Sequence, residues 1–166
     1  MSRQSADQQK TTPITVAAEL RALDRSLDLL DEGVAESFGI KRSDLRAMEL
    51  VSRDGGLTAG LLATGLGVTT GAVTGLIDRM ERMGYFRRQD DPDDRRKVVV
   101  VLTPKAKLRE RRAFERLGRE TEQMLSSYRT DDLALIADFL RRVRAIVDQI
   151  GGRAATVTNA RRRSRS

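Results

Sequence analysis

A chain of 166 residues has room for one domain with an attached helical element. Hydrophobic residues make up 39% and aromatics only 4%, which suits packed helices better than a β-sandwich, and the absence of Cys and His excludes disulfides, thiol chemistry, a Ser-His-Asp triad and the usual zinc sites. The formal charge is +7, but five Arg and no acid lie in residues 153–166, and without them the remainder carries +2, so net charge alone is a weak pointer to nucleic acid.

Residues 1–13 are rich in Ser, Gln, Thr and Asp and read as a disordered lead without the apolar core of a signal peptide. The longest aliphatic run, Val98 to Leu102, is far short of a membrane span. A soluble, cytoplasmic protein is therefore expected. Over residues 14–40, Val16, Leu20, Leu23, Leu27, Leu30 and Val34 recur in alternating steps of four and three, the spacing of a helical seam. Two readings stay open for it: one helix packed on its own domain, or part of a dimer interface.

Residues 41–103 form the next segment. Ser43 is a plausible N-cap for a helix to about 53 that buries Leu45, Met48, Leu50 and Val51, with Gly55-Gly56 ending it. Thr58 caps a short helix carrying Leu61, Leu62 and Leu66. A tight turn at Gly65 and Gly67 follows, and Thr69 caps a helix to about Met83. On that helix Val73, Leu76, Ile77, Met80 and Met83 form the apolar stripe, and Gly71, Thr74, Gly75, Asp78 and Arg82 lie opposite. Gly84 supplies the stop.

The period then changes. Tyr85 to Gln89 reads as extended, residues 90–94 as an acidic turn, and Val98 to Leu102 as a strand after Arg95-Arg96-Lys97. Together they make a β-hairpin with a charged tip. Residues 104–150 carry two more helices. The first, to about 128, has Leu108, Phe114, Leu117, Met124, Leu125 and Tyr128 on its apolar side; the second, capped by Thr130, has Leu133, Ile136, Ala137, Leu140, Val143, Val147 and Ile150. Gly151-Gly152 is expected to end it, leaving 151–166 as a disordered, Arg-rich tail. That tail has two readings, added phosphate affinity or an inert solubilising end. The predicted fold class is thus mainly α with a small β-hairpin wing, a winged helix-turn-helix core flanked by N- and C-terminal helices.

The order helix, tight turn, helix, charged hairpin carries the functional reading. In a helix-turn-helix the second helix enters the DNA major groove with its N-terminal residues at the base edges. Here that end offers Thr69, Thr70, Gly71 and Thr74, small residues that permit close backbone approach, with a helix N-terminus that favours phosphate oxygens. Arg95, Arg96 and Lys97 sit where a hairpin tip reaches an adjacent minor groove. Each part also has an ordinary reading, helical packing for the one and a solvated hairpin for the other; their combination in this order is more specific.

Residues 57–104 closely resemble the DNA-binding core of MarR-family regulators, above all in Leu76-Ile77-Asp78-Arg79-Met80-Glu81, Gly84, Asp93-Asp94-Arg95-Arg96-Lys97 and Leu102-Thr103. The resemblance extends through helix order to about residues 14–150. It implies an obligate homodimer joined by the first and last two helices, bound to a pseudo-palindromic operator in double-stranded DNA with half-sites about one turn, roughly 10 bp, apart. By position it makes Arg96 the minor-groove arginine, assisted by Arg95 and Lys97, with Asp78 holding that arginine through a charge-assisted pair. The chain departs from the family in the outward recognition-helix residues. Thr70, Gly71 and Gly75 offer no bidentate guanine readout, so specificity should lean on Thr69, Thr74, Arg79 and DNA shape.

Relatives often bind small aromatic or lipophilic effectors. The resemblance suggests Leu27, Leu30, Phe38, Met48, Phe114 and Leu117 as pocket lining, all equally good core positions. The rival functional reading is a helical dimer that acts through protein partners or as a non-specific architectural DNA binder. An enzyme is not expected, because the chain lacks a metal cluster, a nucleophile–base pair or a phosphate loop.

Overall fold

The computed structural model describes residues 11–92 and 94–163, in two units that divide after Thr103. The first holds α1 (Pro13–Phe38), α2 (Arg42–Arg53), α3 (Ala59–Leu66), α4 (Thr70–Arg82), β1 (Phe86–Asp90) and β2 (Val98–Leu102). The second holds α5 (Pro104–Leu125) and α6 (Thr130–Arg163). The fold is the mainly helical, winged helix-turn-helix arrangement expected. The disordered lead expected over 1–13 falls outside the described residues up to residue 10.

Local chemistry explains most helix ends. Thr12 and Thr15 form a reciprocal capping box at the start of α1, with Pro13 in the first helical position. Thr58 and Thr69 cap α3 and α4, their hydroxyls accepting from the N–H groups of Leu61 and Ala72, each at 3.3 Å. The start of α2 differs from expectation. Ser43 lies inside the helix, Lys41 occupies the cap position, and the Asp44 carboxylate accepts from the Lys41 N–H at 3.3 Å. An acid at the third helical position can close this loop without a capping hydroxyl, and the helix dipole favours it there.

The helices α3 and α4 meet at a bend of 108°, the angle of a helix-turn-helix. Gly67 between them takes a φ of 66°. Their shared core is built from Leu62, Val73, Leu76, Ile77 and Met80 packed with Leu45, Met48 and Val51 of α2. Met83, expected in the stripe, is 37% exposed, because α4 ends at Arg82 and the chain turns at Gly84. The end of α1 joins this core through Phe38, whose ring stacks on Tyr85 with centroids 5.9 Å apart. The Tyr85 hydroxyl donates to the Phe38 carbonyl at 2.8 Å, so the phenol is buried without losing its hydrogen bond.

The strands β1 and β2 pair antiparallel, with Phe86 opposite Leu102, Arg88 opposite Val100 and Asp90 opposite Val98. Leu57 adds a bridge on the other side of Val100 through two backbone hydrogen bonds of 2.8 and 3.0 Å. Gly56 precedes it at a φ of 153°, where a Cβ would lie 2.9 Å from Val101 Cγ1. The wing is thereby tied to the segment before α3. Thr103 anchors its far end by donating from Oγ1 to the Gly84 carbonyl at 2.8 Å.

The long helices bury less than their patterns suggest. On α1 only Val34, Ala35 and Phe38 are buried, whereas Val16, Leu23 and Leu27 are exposed. Leu108, Leu117, Met124 and Tyr128, from the apolar side expected in residues 104–128, and Leu140, Val147 and Ile150 on α6 are exposed as well. The expected helix ends also shift. After α5 ends at Leu125, the hydroxyls of Ser126 and Ser127 bond the carbonyls of Gln123 and Met124, which competes with helix continuation. The helix α6 runs through Gly151 and Gly152 to Arg163, where an end at residue 150 and a disordered tail were expected. Glycine stops a helix when it adopts a left-handed φ, as Gly39, Gly67 and Gly84 do. Inside a helix its cost is only about 1 kcal/mol relative to Ala. No single helix among the described residues is long and apolar enough to cross a membrane.

Candidate nucleic-acid interface

Packing of Val73, Leu76, Ile77 and Met80 into the core turns the opposite side of α4 to solvent, and Thr70, Gly71, Thr74, Gly75, Asp78 and Arg82 are all exposed there. This face is poor in free hydrogen-bonding side chains. The Thr69 hydroxyl accepts from the Ala72 N–H as the cap, and the Thr74 hydroxyl donates to the Thr70 carbonyl at 3.0 Å. A Cβ at Gly71 or Gly75 would meet nothing within 4 Å, so the shallow surface is not imposed by internal packing. The first N–H groups of α4 point out of the same end, the usual partners of a phosphate oxygen.

The wing tip is stitched by its own acids. Asp91 donates its N–H to the Lys97 carbonyl at 2.9 Å, and Lys97 donates its N–H to the Asp94 carbonyl at 2.8 Å. The Asp94 carboxylate accepts the Arg96 N–H at 3.2 Å and pairs with Lys97 Nζ at 3.3 Å. Lys97 is thus partly neutralised. Arg95 and Arg96 lie exposed on the turn, and among the described residues no carboxylate comes within 4.0 Å of either guanidinium.

The partner of Asp78 is not the expected one. Its carboxylate pairs at 2.6 Å with Arg88 of β1, not with Arg96 at the tip. Arg88 also pairs with Glu81, whose other oxygen accepts the Arg88 N–H at 2.9 Å. Asp78 and Glu81 stand one turn apart on α4 and make a cradle for one guanidinium arriving from the adjacent strand. Arg96 lies on the turn that follows β1, away from the Arg88 contact in the middle of that strand. Arg88 therefore clamps the wing to α4, and sequence reasoning missed it; the i, i+3 acid pair followed by an arginine on a strand was the available signal. Arg82, also missed, donates from Nε to the Asp78 carbonyl at 3.3 Å and stays exposed.

Arg79, placed among the DNA-contacting residues by sequence, turns to α2. Its Nη2 lies 2.5 Å from Asp44 Oδ1 and its Nε 3.3 Å from Asp44 Oδ2. Asp44 is only 1% exposed. A second cation of this region, Arg42, pairs with Asp28 of α1, whose carboxylate raises the guanidinium pKa above its ordinary value.

The six residues suggested for an effector pocket are not brought together within the first unit. Phe38 and Met48 are buried core, Leu27 is exposed and Leu30 half-buried, while Phe114 and Leu117 belong to the second unit. The first unit has a cavity of about 630 Å³ between the start of α2 and α4, lined by other residues, among them Lys41, Arg42, Arg46, Glu49, Leu76 and Arg79.

An exposed second helix at 108° to its neighbour, followed by a clamped basic hairpin, defines a winged helix-turn-helix DNA-binding protein. The MarR family model matches residues 40–98. The chain is 32% identical over 135 residues to the uncharacterized HTH-type transcriptional regulator YcgE of Bacillus subtilis, covering 81% of this chain and 88% of that one. It is 32% identical over 79 residues to the multiple antibiotic resistance protein MarR of Salmonella typhimurium, covering 47% of this chain and 55% of that one. Among solved structures, the transcriptional regulator Tm0710 of Thermotoga maritima superposes with a TM-score of 0.58 at 27% identity, covering 81% of this chain and 95% of that one. The chain belongs to the MarR family of DNA-binding transcriptional regulators, which are not enzymes.

Proposed function

We propose that the protein acts as a homodimeric repressor that reads a pseudo-palindromic operator. In this reading α4 lies in the major groove with Thr69, Thr70, Gly71 and Thr74 at its leading end. The wing enters the minor groove with Arg95 and Arg96 ahead of Lys97. The observation that carries the reading is the pair of exposed arginines, free of described carboxylates, on a hairpin that Arg88 clamps to α4. Narrow minor grooves hold the most negative potential and attract such side chains.

Dimerisation is supported by uncovered apolar side chains on the long helices: Leu23 and Leu27 on α1, and Leu140, Ile146, Val147 and Ile150 on α6. Rows of this kind mark surfaces that a partner covers, and an identical chain with two-fold symmetry supplies one. A dimer covering a promoter represses by occlusion.

Release by a small molecule is part of the proposal. The cavity of about 630 Å³ is of a size that small ligands fill. Its lining mixes Lys41, Arg42, Arg46 and Arg79 with Asp31 and Glu49, and Arg42 and Arg79 already pair with Asp28 and Asp44, so it suits a small molecule bearing polar groups better than the lipophilic or aromatic one expected from sequence. A molecule bound there would touch α4 from behind and act by favouring one orientation of it.

The test is a titration of the purified protein on the DNA upstream of its own coding sequence, beside an unrelated duplex, at about 150 mM salt, where non-specific contacts weaken. The proposal predicts a preference of about a hundredfold or more. Equal binding to both duplexes would contradict recognition of its own upstream region and favour a backbone-only binder.

A further inference from the structure

Asp44 is the one buried charged side chain among the described residues, and the DNA-binding reading above makes no use of it. A buried carboxylate is costly unless its oxygens are fully satisfied. Here both are. Oδ1 receives Arg79 Nη2 at 2.5 Å and Ser43 Oγ at 3.5 Å, and Oδ2 receives Arg79 Nε at 3.3 Å and the Lys41 N–H at 3.3 Å. The guanidinium fork spans both oxygens, which fixes orientation as well as distance. Asp44 belongs to the first turn of α2 and Arg79 to α4, 35 residues later. The contact therefore ties one helix to the other.

The neighbouring residue on α4 sends its charge elsewhere: Asp78 holds the wing through Arg88. Residues 78 and 79 thus bolt α4 on two sides, to the wing and to α2. The apolar contacts of Val73, Leu76, Ile77 and Met80 are non-directional and tolerate small rotations about the helix axis. A bidentate ion pair does not. Only the carboxylate of this pair is buried, the Arg79 side chain being 36% exposed, and such a pair adds little stability over apolar side chains of the same size, so geometry is the more direct return on making it.

We infer that Asp44 is a positioning residue for operator recognition, acting through Arg79 to set the rotation of α4, and that Arg79 itself makes no phosphate contact. The inference rests on the DNA-binding reading above. It makes an unusual prediction of sign. Asp44→Asn raises the net charge by one, which by simple electrostatics should tighten binding to DNA; loss of the positioning contact should weaken it.

The experiment measures affinity, per folded protein, of wild type, Asp44→Asn, Arg79→Gln and the double variant on the upstream duplex and on an unrelated duplex, across a salt series. Expected is a loss of about tenfold on the upstream duplex in each single variant, the scale of one base contact. The unrelated duplex should change little, and the double variant should lose no more than the worse single one. The salt slope of Arg79→Gln should equal that of wild type. Purely structural damage would lower the unfolding temperature without changing the ratio of the two affinities. The inference is overturned if Asp44→Asn binds as tightly as wild type or more so, or if Arg79→Gln lowers the slope by about one, the mark of a lost phosphate contact. Should Asp44→Asn not fold, the Arg79→Gln slope decides alone. A wild type that binds both duplexes alike would count against the operator reading instead, and the same slope would still report whether Arg79 touches phosphate.

Discussion

Arg96 sits on the wing turn with its N–H bound by Asp94 and its guanidinium exposed. The backbone contact holds the residue in place while the charge remains available. Arg96→Ala should therefore lower DNA affinity about tenfold and reduce the slope of log affinity against log salt by about one. A salt series by fluorescence anisotropy measures both, and an unchanged affinity would rule out the assigned role of the wing. At this scale the sequence showed which residues carry charge but not where that charge goes. The basic run at Arg95, Arg96 and Lys97 was legible because it is local and flanked by turn-forming acids. The destinations of Arg79 and Asp78 were not, since their partners lie 35 residues upstream and 10 residues downstream, spacings to which no periodicity points. Asp44 itself passed unnoticed because one acid in the first turn of a helix is an ordinary sight.

Helices and strands were more legible, because periodicity and end signals act over a few residues. Thr58 and Thr69 were identified as caps from a hydroxyl ahead of an apolar pattern, and they cap in the structure. Four consecutive valines before Leu102 marked β2 for the same reason of local chemistry. Errors arose where one residue type has two uses. Ser43 could cap α2, but the Asp44 carboxylate did so from inside the helix. Gly151 could stop α6, but it keeps a helical backbone. Glycines in this chain separate into those the geometry demands and those it does not, which stability measurements can check. Gly56→Ala forces a Cβ to 2.9 Å from Val101 Cγ1 at a φ of 153° and should cost more than about 1 kcal/mol. Gly71→Ala meets nothing within 4 Å inside a helix and should stabilise by about 0.5–1 kcal/mol. Urea unfolding of the two variants measures the contrast, and equal stabilities would contradict the strand-side packing of Gly56.

On the scale of the whole molecule, the two units differ in how far they complete their own cores. The first buries aromatic and aliphatic side chains from α1 to β2, among them Leu45, Met48, Ile77 and Phe86. In the second, Leu117, Leu140, Ile146 and Ile150 remain exposed. The amphipathic pattern of the long helices was readable in sequence, but pattern alone does not say whether the facing surface comes from the same chain. The proposed symmetric dimer would cover these side chains and would present two copies of α4 and two wings to one duplex. Two-fold protein symmetry should then appear in the DNA as two inverted half-sites. Selection of bound duplexes from a random library by the full-length protein, followed by sequencing, tests this most directly. The account predicts enrichment of an imperfect palindrome whose half-site centres lie about one turn, roughly 10 bp, apart. Enrichment of a single unrepeated site, or of no sequence at all, would contradict it.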